Sequence, residues 1–349
     1  MNKNKIISST IIIVFFILMT LFYWNEYFTF HKNKFETNKI NSSSSESAKD
    51  FSIDKIKEIE NISFDYSPSK ELKNKIVENI DNAEEYIYLE IYMFTEKDIK
   101  NAIKRAFDRW IEIKIILEKD PYMAYSINDK FYNELKKKWI NVIWSNDKNY
   151  SLNHSKILII DWLSTISTWN FTYSTFTKNR DLFLFIDDDE INRKLIENFN
   201  NDFEWIKKSI YHENLILSPL YSRDKIQKLL QSAEKDIKIY IQYFNDDEVR
   251  NLLIKIKKEK NLNITAIIPK TAAEDEETKE LIKSWINIKI IPKYKMHSKA
   301  ILIDNNVLFI WSVNFSSYSF DKNREIWILL KNKTIINQFL KLFNNDLNN

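Results

Sequence analysis

Two kinds of apolar spacing alternate along this chain, and the alternation occurs twice. Charged stretches with an apolar stripe at helical spacing give way to short Ile/Leu-rich runs that read as buried strands. The first series opens with a helix at Lys70–Asn82 and a strand at Tyr86–Phe94, then a helix at Lys97–Arg109 and a strand at Ile111–Leu117. The second opens with a helix at Arg223–Ala233 and a strand at Ile237–Phe244, then a helix at Asp247–Lys258 and a strand at Ile264–Ile268. Each continues with another helix and a short strand. This grammar predicts an α/β fold whose sheets are covered by helices on both faces, built twice. Tyr211–Ser222, holding Pro219, is the expected join. It divides a first half at 56–210 from a second at 211–349.

The N-terminal pattern is different. Ile6–Tyr23 is apolar except at Ser8, Ser9, Thr10 and Thr20, about the span of a bilayer's hydrocarbon core. Lys3 and Lys5 precede it, so the short N-terminus is expected to stay cytoplasmic. Residues 1–24 therefore read as a transmembrane anchor. A cleaved signal peptide is the runner-up, but the run ends in Phe22-Tyr23-Trp24 rather than a small-residue cleavage site. An amphipathic surface helix would need a polar face that the run lacks. Residues 25–55, with Ser42–Ser45, read as a polar tether. The expected arrangement is a single-pass anchor with the folded body outside the cytoplasmic membrane.

Composition narrows the class. With 44% hydrophobic and 29% charged residues the chain is globular in type. The net charge of +3 is weak and the lysines are dispersed, so nothing argues for a nucleic-acid groove. Lys136-Lys137-Lys138 lies on a predicted helix and reads as a solvated face. There is no cysteine, hence no disulfide and no thiolate metal set.

Two phrases carry the chemistry. His154-Ser155-Lys156 is followed by four apolar residues and Asp161; His297-Ser298-Lys299 is followed by four apolar residues and Asp304. Two of the chain's four histidines thus share one frame, 143 positions apart. On a strand, residues two apart share a face, so each histidine projects with its lysine. An imidazole beside an ammonium suits a phosphate: one attacks or handles a proton, the other holds oxygens. Asp161 and Asp304 have the opposite parity and read as turn residues. Downstream, Thr168-Trp169-Asn170 and Asn179-Arg180-Asp181 are answered by Ser312-Val313-Asn314 and Asn323-Arg324-Glu325. Thr168, Asn170, Ser312 and Asn314 are candidate donors to phosphate oxygens. Asp181 and Glu325 are candidates to fix an imidazole's tautomer and stabilise its cation.

These doubled motifs resemble those of the phospholipase D superfamily, over roughly residues 64–335. The resemblance implies two similar halves, each a mixed β-sheet flanked by helices, related by a pseudo-two-fold axis, with one site where the motifs meet. It implies a phosphohistidine on one histidine and acid–base work by the other. His154 is assigned to attack and His297 to proton transfer, although the sequence itself does not break the symmetry. No metal or other cofactor is implied. The leading activity is cleavage of phospholipid headgroups at a membrane by a monomeric catalytic unit. Phosphatidyl transfer of the cardiolipin synthase type uses the same intermediate and stays open. A membrane-anchored extracytoplasmic nuclease is the alternative from another class, and would want a basic, aromatic groove. An inactive scaffold is disfavoured because both motifs are complete.

One compositional feature remains. Ordinary usage near 7% would give about 24 glycines; the chain has none, and ten tryptophans. Trp110, Trp139 and Trp285 each follow a helix with a basic last turn and precede isoleucine, the place of a left-handed helix-ending residue that is usually glycine. Asn261 holds the equivalent place after a fourth helix. Trp162 follows Asp161 where a hairpin favours Asp-Gly. Trp169, Trp311 and Trp327 stand where the resembled family commonly has glycine, and Trp311 is expected to crowd the phosphate. The expectation is that most of these are glycine in the native protein, through a reassigned UGA codon read as Trp. Trp205 and Trp24 read as genuine, and Trp144 is undecided.

Overall fold

The computed structural model describes residues 51–348 except Trp169, Ser209, Leu220 and Val313, all within one unit. The expected anchor and most of the tether lie outside the described residues. Among those described, no helix is long and apolar enough to cross a membrane.

The first half runs β1 (Ile62–Tyr66), α1 (Lys70–Asp81), β2 (Tyr86–Ile91), α2 (Lys97–Asp108), β3 (Glu112–Leu117), α3 (Asp129–Lys137), β4 (Asn141–Trp144), β5 (Lys156–Ile160), β6 (Leu163–Ser167), α4 (Tyr173–Thr177), β7 (Asn179–Arg180), β8 (Leu182–Ile186) and α5 (Asp189–Phe203). The second runs β9 (Leu215–Ser218), α6 (Ser222–Gln231), β10 (Asp236–Tyr240), α7 (Asp247–Lys260), β11 (Asn263–Pro269), α8 (Glu276–Lys283), β12 (Asn287–Ile291), β13 (Lys295–Met296), β14 (Ala300–Ile303), β15 (Val307–Trp311), α9 (Ser317–Asp321), β16 (Glu325–Leu330) and α10 (Lys333–Asn348). Each half builds a seven-stranded sheet, ordered β1-β8-β6-β5-β2-β3-β4 and β9-β16-β15-β14-β10-β11-β12. The orders match strand for strand, so the repeat read in the sequence is a repeat of topology. Both sheets are mixed: β2–β3–β4 and β10–β11–β12 pair in parallel, and the remaining neighbours are antiparallel. The join departs from expectation, because β9 turns part of 211–222 into an edge strand.

The unbroken apolar runs of β5 and β14 follow from burial on both faces. Ile157 and Ile159 enter a core shared between halves, with Leu184 and Phe199 from the first and Leu302, Ile326 and Phe339 from the second. Leu158 and Ile160 pack instead with Leu72, Ile76, Ile103 and Leu135 beneath the outer helices of their own half. Asp161 and Asp304 do more than turn the chain. Asp161 accepts the N–H groups of Glu84, Glu85 and Tyr86 at 2.8–3.0 Å; Asp304 accepts those of Glu234, Lys235 and Asp236 at 2.7–2.9 Å. Each carboxylate ties the end of a catalytic strand to the start of β2 or β10.

The halves are joined by exchanged parts. β7 pairs with β13 of the other half, and Asn153 bridges to Arg324. Buried Arg180 crosses to Asp346 in α10 at 2.9 and 3.0 Å. Buried Arg324 crosses to Asp202 in α5 at 2.7 and 2.8 Å. Breaking one buried pair by removing one partner should cost about 3–5 kcal/mol, because the other charge is stranded. Asp346→Ala and Asp202→Ala should each lower unfolding free energy by that amount in denaturant titrations.

Four helices end as glycine-type motifs with tryptophan in the left-handed place. Trp110, Trp139, Trp205 and Trp285 have φ of 69°, 63°, 59° and 64°. After each, the isoleucine N–H returns to a carbonyl in the helix's last turn: Ile111 to Ala106, Ile140 to Leu135, Ile206 to Asn201 and Ile286 to Leu281. Trp205 joins this set, contrary to its reading as a genuine core residue. Trp162 leaves it: the positive φ of its turn belongs to Asp161 at 51°, as to Asp304 and Asn305 at 52° in the other half. Trp110, Trp139 and Trp285 are 93%, 90% and 85% exposed, so burial recovers nothing for the strained backbone. Trp311 and Trp327 are buried in the second half's outer core, with Trp311 stacked on Phe315; Trp311 does not crowd the site. A left-handed non-glycine residue costs roughly 1–2 kcal/mol. Trp110→Gly, Trp139→Gly, Trp205→Gly and Trp285→Gly should each raise stability by about 1 kcal/mol, measured by denaturant unfolding. Peptide mass spectrometry of the native protein should find glycine at these four positions, and tryptophan mass there would refute the reassignment.

Candidate active site

The strands β5 and β14 begin at Lys156 and just after Lys299, so both His-x-Lys phrases stand at the same end of their sheets. The backbone exchange sets each histidine against the other half: His154 N donates to Arg324 O at 2.8 Å, and His297 N donates to Arg180 O at 3.1 Å. The next residue after each arginine is a carboxylate. His154 Nδ1 therefore meets Glu325 at 2.9 and 3.1 Å, and His297 Nδ1 meets Asp181 at 3.1 Å. Each imidazole is held by the opposite half, and the two motifs form one site. Glu325 and Asp181 are fully buried.

The hydroxyls offered by sequence to phosphate oxygens have another task. Thr168 Oγ1 donates to Asp181 at 2.9 Å, and Ser312 Oγ donates to Glu325. They fix the carboxylates that fix the histidines. Asn170 also turns inward, accepting Met93 N at 3.0 Å. Asn314 is the member of the quartet that faces open space, and its buried Oδ1 has no partner. The lysines lie close to their histidines: Lys156 Nζ donates to His154 O at 2.5 Å, and Lys299 Nζ lies 2.8 and 3.0 Å from the ring nitrogens of His297.

Burial governs the protonation states. It lowers His154, against the pull of Glu325, and with Lys299 and Lys156 it holds His297 well below the ordinary imidazole range. Desolvation brings Lys156 down to about 7 and Lys299 well below its usual value. It pushes Asp181 up to about 7, against the opposing Lys299. Such a site resists holding its cations until an anion enters.

An open cleft of about 250 Å³ reaches His154, lined by Tyr92, Leu152, Tyr243, Asn245, Asn314, Ser316, Ser319 and Asn323. Tyr92 stands edge-on to His154, with centroids 4.7 Å apart. His297 does not line this cleft. Among the described residues no group of three or more His, Asp or Glu side chains is placed to hold a metal ion. His212 is buried in the join, away from the site, where its Nδ1 accepts Asn214 N.

The motif reading missed the buried arginine partners, although they are repeated too. Phe199-Asn200-Asn201-Asp202 recurs as Phe343-Asn344-Asn345-Asp346. The cleft residues Tyr92, Tyr243 and Asn245 had no comparable signal, because they come from strand ends and loops without a shared spacing; Asn323 opens the second Asn-Arg-acid motif.

A family model described as cardiolipin synthase, PLD-like domain, matches residues 76–203 and again 226–347. A phospholipase D of Rickettsia felis is 27% identical over 204 residues, covering 57% of this chain and 96% of that protein. A cardiolipin synthase of Clostridium perfringens is 22% identical over 338 residues, covering 81% of this chain and 69% of its own. The solved phosphatidylserine synthase of Haemophilus influenzae has the same fold, with a TM-score of 0.68 at 14% identity over 83% of this chain and 86% of that one.

Glu325 raises the pKa of His154, through its charge and its hydrogen bond. Removing the charge must therefore lower it. In Glu325→Gln the ring protons of His154, one of four histidines to assign, should titrate at lower pH by NMR than in the parent. A midpoint that stays or rises would refute the pairing.

Proposed function

The chain belongs to the phospholipase D superfamily, and from that premise we propose that it cleaves phospholipid headgroup phosphodiesters through a phosphohistidine on His154. The carrying observation is the exchanged pair of His–carboxylate contacts in one site, with one histidine on the cleft and the other behind it. Glu325 occupies Nδ1 of His154, so Nε2 is the nitrogen left to attack. Its lone pair forms the N–P bond as the P–O bond to the leaving alcohol breaks. His297, held by Asp181 and protonated once the phosphodiester anion offsets the charges of Lys299 and Lys156, donates the proton that the departing oxygen takes. In the second step a water or alcohol oxygen attacks phosphorus, His297 removes its proton, and the N–P bond breaks. Lys156, Lys299 and Asn314 hold the non-bridging oxygens. An arriving phosphodiester anion favours the protonated lysines, which restores the charges that burial suppresses.

Transfer to a second alcohol is the other reading, favoured by the amide and hydroxyl lining of the cleft and by the family model's description. The membrane as the place of reaction follows from the substrate class and from the apolar run at residues 6–23.

Leaving-group chemistry separates the two histidines. In the first turnover, His297→Ala should slow release of an alkyl alcohol on the order of 10²–10⁴-fold, but slow release of p-nitrophenol far less, because that anion needs no proton. His154→Ala should abolish turnover of both, and only chains with His154 should yield a base-stable, acid-labile phosphate adduct on that residue. The reverse pattern would exchange the roles. Plasmid nicking without turnover of any lipid would replace the lipid reading by a nuclease. Adding glycerol during turnover reports the second step: phosphatidylglycerol in place of phosphatidic acid identifies transfer.

A further inference from the structure

Between β3 and α3, residues 118–128 form a loop with an apolar tip. Tyr122, Met123 and Tyr125 are 69%, 82% and 68% exposed, and Ile127 is 37% exposed. Residues 121–127 carry no charge, in a chain where 29% of residues do. The loop's base, by contrast, is firmly built. Buried Asn128 donates to Tyr92 O and Glu118 O, both at 2.8 Å, and accepts Phe94 N at 3.0 Å. Glu118 accepts Ser145 Oγ at 2.8 Å and Asn153 N at 2.6 Å. Tyr122 N donates to Tyr92 Oη. These anchors hold Met123 and Ser126 at positive φ, 58° and 61°, a conformation that non-glycine residues adopt at a cost.

The anchors also fix where the tip stands. Asn153 immediately precedes His154, and Tyr92 both lines the cleft and contacts the His154 ring. Across the cleft, Tyr318 is 57% exposed between the lining residues Ser316 and Ser319, with Lys322 Nζ 4.3 Å above its ring. The fold supplies an internal control. The matching connection between β11 and α8, residues 270–275, reads Lys-Thr-Ala-Ala-Glu-Asp and has no large apolar side chain. The apolar tip is therefore not a requirement of the topology, and it occurs on the side where the cleft opens.

We propose that this loop inserts its tip into the interfacial layer of a phospholipid bilayer and so seats the mouth of the cleft on the membrane. The proposal rests on the phospholipid reading and names the surface at which that site works. Tyrosine, with an apolar ring and a polar end, favours the headgroup level, and Met123 and Ile127 fit the acyl boundary beneath it. Lys322 beside Tyr318 meets lipid phosphates. A stable protein partner would want roughly 800 Å² from each side, more than four side chains on one loop tip present.

The chain has no cysteine, so single labels can be placed in the full-length protein. Tyr125→Cys and, as control, Thr271→Cys at an exposed position of the 270–275 connection would carry an environment-sensitive fluorophore. The protein would be reconstituted into vesicles of equal parts phosphatidylglycerol and phosphatidylcholine containing nitroxide-labelled lipid. The label at 125 should shift to the blue and be quenched by the lipid nitroxide, while that at 271 stays accessible to aqueous iodide. Equal iodide access at both positions would overturn the proposal, and so would energy transfer between labels at 125 on two chains without lipid quenching, which would make the tip a self-association surface. Tyr122→Ser/Met123→Ser/Tyr125→Ser should lose turnover of bilayer lipid by at least about tenfold, while turnover of a monomeric short-chain phosphodiester is unchanged. Absence of any lipid turnover by the parent would sink the proposed function, whereas the quenching result judges the loop by itself.

Discussion

Everything at this site depends on charge carried across the line between the two halves. Asp181 and Arg180 belong to the first half, Glu325 and Arg324 to the second. Yet the carboxylates serve the opposite histidine, and the arginines pair with the opposite half's α10 or α5. Buried charges persist only where they are paired, so these contacts specify how the halves meet. A small rotation between the sheets would strand two guanidinium groups and break both His–carboxylate contacts together. The catalytic geometry and the docking of the halves are thus one structural fact.

The same burial sets the chemistry. Burial lowers His154, His297 and both lysines, because each charge is desolvated; at His297 and Lys299 the neighbouring cations add repulsion, while at Lys156 the Glu325 and Asp181 carboxylates oppose the shift. Thr168 and Ser312 belong to this scheme as supports, because their hydroxyls donate to the carboxylates that hold the histidines. A site that disfavours its own cations favours an anion that relieves the desolvation of its charges, and it keeps both imidazoles toward the neutral form.

What the sequence showed was what repeats at fixed spacing. The doubled His-x-Lys phrases, the helix–strand grammar and the parity that removed Asp161 and Asp304 from the chemistry are all short-range regularities, and short-range regularity is legible. The three N–H groups held by each of those aspartates were not, because their donors lie more than sixty positions away. The direction of the carboxylate exchange was hidden for the same reason: a pattern says that Asp181 recurs as Glu325, not which imidazole it faces. Trp205 shows a limit of periodicity. An apolar residue after Phe203 fits the helical stripe, yet the helix has ended and the residue is left-handed. The repeat of Phe-Asn-Asn-Asp in α5 and α10 was within reach, since both copies share a frame.

Equal frames do not make equal halves, and the differences gather beside His154. Tyr240 of β10 donates to Asp346 at 2.8 Å. At the corresponding place in β2 stands Glu90, fully buried, accepting Asn153 Nδ2 at 2.8 Å. Burial and the nearby Asp202 carboxylate push Glu90 up, toward the neutral acid that matches the tyrosine in charge. The substitution preserves the balance of the arginine–aspartate pair while adding an acceptor for Asn153, the residue that leads into His154. Glu118 holds the main chain of the same asparagine from the other side, whereas Met296, at that place in the second half, lies in the β13–β7 pairing. Both histidines are held through the backbone, but His154 opens onto a cleft while His297 is closed in beside Lys299. That difference distinguishes the two histidines of an otherwise symmetric pair of motifs.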